Sequence, residues 1–265
     1  MLMLNYYPRL WGGRGGLSTA WPIVSGLALM IGAAIAGCGV ISSDVTSFDL
    51  NLTLPGNDQK FFTISSEGWE VSQPAADSFL TMSCGPQLNA CPSAVEEICP
   101  MGCTGSCNQD RNPPACDLSL DISLSQSINL MMEQPELRSL SDQSTIKVAI
   151  DGVTYEVVTN NLNIDTPELT VYVAPSNVLS PADNSSENAP TPIGTIAPIP
   201  AGEVTTGPRP IAFTATGKAQ LVNFLSKFKT PFNVIIGSSI VVTAGQPVPK
   251  GKLDALVHIV GHAGL

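Results

Sequence analysis

The chain is short of charge. Asp, Glu, Lys and Arg make up 13% of its 265 residues, about half of the ~25% usual in globular proteins. Cations are scarcest: 12 Lys and Arg against 22 Asp and Glu, a formal net charge of −10. A surface that follows nucleic-acid phosphates needs a stripe of them, so nucleic acid is not an expected partner. Two histidines leave little for imidazole chemistry. Aromatic residues are 6% of the chain, and Trp69, Phe61 and Phe62 are expected to pack in a core rather than line a ligand groove. No G-x-S-x-G, P-loop, H-E-x-x-H or EF-hand loop occurs. The Gly12-Gly13-Arg14-Gly15-Gly16 cluster follows no strand and is not a nucleotide loop.

What is present points to turns and a core. Apolar residues are 43% of the chain, with 22 Pro and 23 Gly. The first 37 residues carry Arg9 and Arg14 and no acid, followed by an apolar stretch from Leu17 to Gly37. That is the layout of a secretory signal. The alternatives are a conventionally cleaved signal and an uncleaved spanning helix, since about 20 apolar residues suffice to cross a bilayer.

The stretch ends in Ile35-Ala36-Gly37-Cys38. Here the sequence resembles bacterial lipoproteins, whose signal closes on a branched aliphatic, two small residues and a cysteine. The resemblance implies cleavage after Gly37, a diacylglyceryl group on the Cys38 sulfur and acylation (a palmitate-type chain) of its new amino terminus. Two or more chains anchor stably where one does not. Gly39 after Cys38 implies outer-membrane sorting by analogy with enteric bacteria. Without residues 1–37 the net charge is −12, so the lipid, not electrostatics, would hold the body at the envelope.

The other six cysteines, Cys84, Cys91, Cys99, Cys103, Cys107 and Cys116, fall within residues 84–116. Export places them in an oxidising compartment, and three disulfides are expected, with fifteen possible pairings. The segment is rich in Pro and Gly and poor in large apolar residues. It is expected to be a disulfide-rich insertion that builds no core and relies on cross-links worth roughly 2–4 kcal/mol each. The C-x3-C-x3-C run at Cys99, Cys103 and Cys107 fits neither ferredoxin nor zinc-ribbon spacing, and no metal or other cofactor is expected.

The rest reads as strands. Phe48, Leu50, Leu52 and Leu54 alternate with polar residues, as do Leu118, Leu120, Ile122, Leu124, Ile128 and Leu130. Phe61 to Ile64 and Leu169 to Val173 are further candidates, and Gly56-Asn57-Asp58 predicts a turn. Asp151-Gly152 between two alternating runs predicts a hairpin. Residues 175–210 predict a Pro-rich loop or linker with short edge strands near Ile193 and Ile211. Leu221, Val222, Phe224, Leu225 and Phe228 predict one amphipathic helix, capped by Thr214 or Thr216 and packed on a sheet. Phe232 to Ile236, Ile240 to Thr243 and Leu253 to Val260 predict strands, with a turn at Gly237-Ser238-Ser239 and another over 245–251. The expected fold is mainly β: residues 38–265 as an antiparallel sandwich or barrel-like sheet carrying the cysteine insertion.

Candidate chemistry is thin. Asp254, His258 and His262 share a strand face, but residues four apart on a strand are about 13 Å apart, too far to close on one ion. Glu96 and Glu97 are adjacent and point apart, so they form no glycosidase pair. The reading is a non-enzymatic, lipid-anchored envelope protein with a structural or protein-binding role. The alternative is a carrier of an apolar ligand between sheet faces.

Overall fold

Alternating apolar residues build two antiparallel sheets that face each other. The structure, a computed structural model, describes residues 48–54, 61–85, 90–183 and 189–265. The signal segment, Cys38 and the Gly56-Asn57-Asp58 turn lie outside the described residues. One sheet holds β1 (Phe48–Leu54), β2 (Phe62–Ser65), β5 (Lys147–Asn160), β8 (Arg209–Pro210) and β11 (Lys252–Gly264). Its order is β1-β11-β5-β8, with β2 beside β1 on the same edge of β11. The other holds β3 (Cys103–Asn108), β4 (Ala115–Ile128), β6 (Leu169–Pro175), β7 (Thr191–Ile196), β9 (Ala212–Phe213) and β10 (Phe232–Val242), in the order β3-β4-β10-β6-β7-β9. Leu50, Leu52, Leu54, Val153, Val157, Val257 and Ile259 from the first sheet share one buried cluster with Leu118, Leu120, Val171, Val173, Val234 and Ile236 from the second. This is a β-sandwich.

Two expected turns are strand interiors instead. β5 runs unbroken through Asp151-Gly152, and its pairing with β11 steps from Gly152↔Val260 to Ile150↔Gly261, leaving Asp151 as a bulge. The buried parity moves from Ile150 to Val153, the one-residue slip that a bulge absorbs. β10 likewise runs through Gly237-Ser238-Ser239. Phe232, Val234, Ile236, Ile240 and Val242 keep a single parity across that triplet, so no turn is needed. Gly237 serves a close approach, because a Cβ there would run into Pro181.

Among the described residues four α-helices decorate the sheets: α1 (Gln73–Leu80), α2 (Cys91–Ile98), α3 (Leu130–Glu133) and α4 (Ala215–Ser226). The expected amphipathic helix is α4. Thr214 caps it, its hydroxyl accepting from Gly217 N at 2.8 Å, and Leu221, Leu225 and Phe228 are buried. Gly217 lets the helix press on β7, since any side chain would collide with the Ile193 carbonyl. α1 and α2 have no counterpart in the sequence reading. Each is eight residues long and carries only two or three buried positions, too few to make a period visible.

The cysteine segment also departs from expectation. It does not stand outside the core: Cys91, Val95, Cys99 and Cys116 belong to the main buried cluster, beside Phe79 and Leu80 of α1. Residues 175–210 contribute β7, which lies between β6 and β9, and β8, a two-residue strand on the edge of β5. Among the described residues no helix is long and apolar enough to cross a membrane.

Candidate functional site

The three disulfides organise one end of the sandwich. Cys91–Cys116 joins the start of α2 to β4 with Cα atoms 5.7 Å apart, and both residues are fully buried. Cys84–Cys107 joins the segment after α1 to β3. Cys99–Cys103 closes the connection from α2 to β3. The sulfurs of Cys84, Cys91 and Cys116 lie within 4.8 Å of one another. As disulfide sulfurs they are not the thiolates that bind metals.

The Cys99–Cys103 loop is held at several points. Gly102 adopts φ +70°, a left-handed conformation that glycine accepts without strain. Its carbonyl accepts from Asp121 N at 2.7 Å. The Trp69 indole lies under Gly102, and its Nε1 donates to the Asp121 carbonyl at 2.9 Å. Met101, at the tip, is 74% exposed.

Beside the loop runs a groove along β2 and β4. One stretch, about 320 Å³, is lined by Thr63, Ser65, Trp69, Met101, Asp121 and Leu124, among others. It continues into a stretch of about 540 Å³ lined by Phe61, Phe62, Thr63, Ser123, Ser125, Lys252 and Asp254. Phe62 and Trp69 are core residues as expected, whereas Phe61 is half-buried and belongs to the groove wall. The two stretches meet at Thr63, Ser123 and Leu124; Asp121 lies exposed on the smaller one, and partial burial pushes its carboxyl above the usual range.

Asp254 is buried, and its carboxylate accepts from Thr63 at 2.8 Å and Thr159 at 2.5 Å, with Lys252 Nζ 2.9 Å away. Burial by itself raises its pKa. The bonds from Thr159, Lys252 and Thr63 outweigh that and hold it below the ordinary carboxylate range.

The structure does not bring Asp254, His258 and His262 together. His258 Nδ1 is 3.2 Å from the Thr53 hydroxyl, and its Nε2 faces Glu156 at 3.5 Å. His262 lies between Asp49, 3.0 Å from Nδ1, and Asp151, 2.9 Å from Nε2. The bulge in β5 supplies that second carboxylate. Glu96 and Glu97 are exposed on α2.

Between the sheets, a space of about 10 Å³ is enclosed by Phe62, Leu124, Tyr155, Ile196 and Val257, among others. That is room for at most one water.

The sequence reading singled out the cysteines, Trp69 and Asp254 but missed Met101, Asp121 and Lys252. Asp121 carried a readable signal, being the one charged position in the serine row from Ser119 to Ser127.

These features define an antiparallel β-sandwich with a cross-linked insertion and a groove beside it. No family model, curated protein or solved structure matches the chain, and the functional reading rests on its own geometry.

Proposed function

We propose that the protein is a lipid-anchored component of the bacterial cell envelope, held through Cys38 and sorted to the outer membrane, with a non-enzymatic, protein-binding role. The observation that carries this reading is the complete pairing of the six clustered cysteines into three disulfides. Disulfides of this structural kind belong to oxidising compartments, which agrees with an exported chain. Of the seven cysteines in the sequence, only Cys38 is then left over, at the position where the lipoprotein signal places the acylated residue. The groove beside the cysteine module favours a binding role, with that module as the recognition surface.

The space of about 10 Å³ between the sheets favours this over the apolar-ligand carrier, since drug-sized ligands occupy about 300–1,000 Å³. Fractionation of cells expressing Cys38→Ala tests the anchor. The variant is expected to leave the membrane fraction and keep an uncleaved signal. Unchanged membrane partitioning and processing would contradict the reading.

A further inference from the structure

The groove lies between two sheet edges that have no strand partner among the described residues. β2 pairs with β11 on one side only. β4 pairs with β10 along residues 118–128, but on its other side β3 covers only 115–120. The rest of that edge, through Ser123, Ser125 and Ser127, carries no strand.

Hydrogen-bond alternation shows which backbone groups face the groove. Ser66 N donates to the Gly251 carbonyl at 3.0 Å, so in the β2–β11 register Ile64 and Phe62 also bond toward β11. Thr63 and Ser65 then direct their N–H and C=O groups away from β11, toward β4. On β4, Asp121 N donates to Gly102, which sets the odd-numbered residues toward the β3 side. Asp121 is satisfied there by Gly102 and by the Trp69 indole. The next two positions on that edge, Ser123 and Ser125, line the groove opposite Thr63.

We infer that this groove receives an extended peptide segment of a partner protein, which adds as a strand to the free edge of β4 in line with β3 and carries a basic side chain toward Asp121. An open edge offers donors and acceptors at the strand repeat, and an extended backbone is the ligand that matches them. Leu124, half-buried, and Phe62 would take the apolar side chain facing inward. The charge preference follows from Asp121, which stands exposed at the groove with no cation in ion-pair distance among the described residues, whereas Lys252 is already engaged by Asp254. The inference rests on the protein-binding reading above and specifies the partner's chemistry.

The test uses the mature chain extracted from membranes and a synthetic octapeptide alternating Val with Lys and Thr, titrated by calorimetry. A saturable complex is expected at micromolar to sub-millimolar peptide. The same peptide N-methylated at alternate residues should bind at least tenfold more weakly. Ser125→Pro removes one donor that faces the groove and leaves the β4–β10 ladder whole, and it should also weaken binding at least tenfold. Asp121→Asn should weaken binding a few-fold and flatten its salt dependence.

No saturable binding up to 1 mM overturns the inference, as does equal affinity for the unmodified and the N-methylated peptide. If Ser125→Pro does not fold, the comparison of those two peptides on the unaltered chain still decides. Slow hydrogen exchange at the Ser123 and Ser125 amides of the peptide-free chain would show the edge already covered by the chain itself, and would also overturn it. Cell fractionation of Cys38→Ala reports on the anchor alone, so failure of the groove and failure of the anchor remain distinguishable.

Discussion

The cysteine module and the helix α4 region solve the same problem by different means. α4 is seated by burial: Leu221, Leu225 and Phe228 disappear into the core, and Gly217 allows close contact with β7. The module from Cys84 to Cys116 buries small residues instead, chiefly Val95, Ala115 and cysteines, and adds three cross-links. Burial of large side chains holds a segment wherever the chain is folded. Cross-links hold one only where the compartment keeps them oxidised. The module's geometry therefore depends on location, and that of α4 does not.

Three perturbations sharpen this contrast. The largest effect is expected from Phe228→Ala, which empties a fully buried aromatic site and should destabilise the fold by about 3–5 kcal/mol. Thermal melting should show the loss equally in reducing and oxidising buffer.

Next comes removal of Cys91–Cys116 as a double alanine variant, expected to cost roughly 3.5 kcal/mol from chain entropy, against roughly 2 kcal/mol for the five-residue Cys99–Cys103 loop. Denaturant titration of both variants checks the order. Equal losses would mean that the buried disulfide contributes no more than its shorter neighbour. Reduction of the native chain should move its melting transition, whereas the same reductant should leave the Phe228→Ala increment unchanged.

The smallest effect is at acid pH. Asp254 has a folded pKa below its ordinary value, so its contribution is complete above the unfolded carboxylate pKa of about 3.9. It is lost as pH falls through the lower folded value. Melting temperatures of native protein and Asp254→Asn, followed from pH 6 downward, should converge in that acid window. A gap that widens toward low pH would contradict the assignment.

Much of the sandwich was legible because strand alternation is local. Phe48 to Leu54 and Leu118 to Ile128 show inward and outward faces directly. The two false turns arose from reading Asp-Gly and Gly-Ser-Ser as punctuation, when the phase of the flanking residues held the answer: a one-residue slip at Asp151 and none at Ser238. α1 and α2 were missed because eight residues give barely two turns, and their stability comes from packing against β4 and from the disulfides rather than from their own pattern. The groove was hidden for a different reason. It is made where the edges of β2 and β4 run close without pairing, and no local signal records the absence of a neighbouring strand.

The central claim is that an exported, acylated chain carries an oxidised recognition module. Intact mass spectrometry of membrane-extracted protein tests it most directly. The account predicts a chain beginning at Cys38, heavier than its sequence by the acyl groups, that gains the mass of six hydrogens on reduction. A chain that retains residues 1–37, or one whose mass is unchanged by reductant, would contradict it.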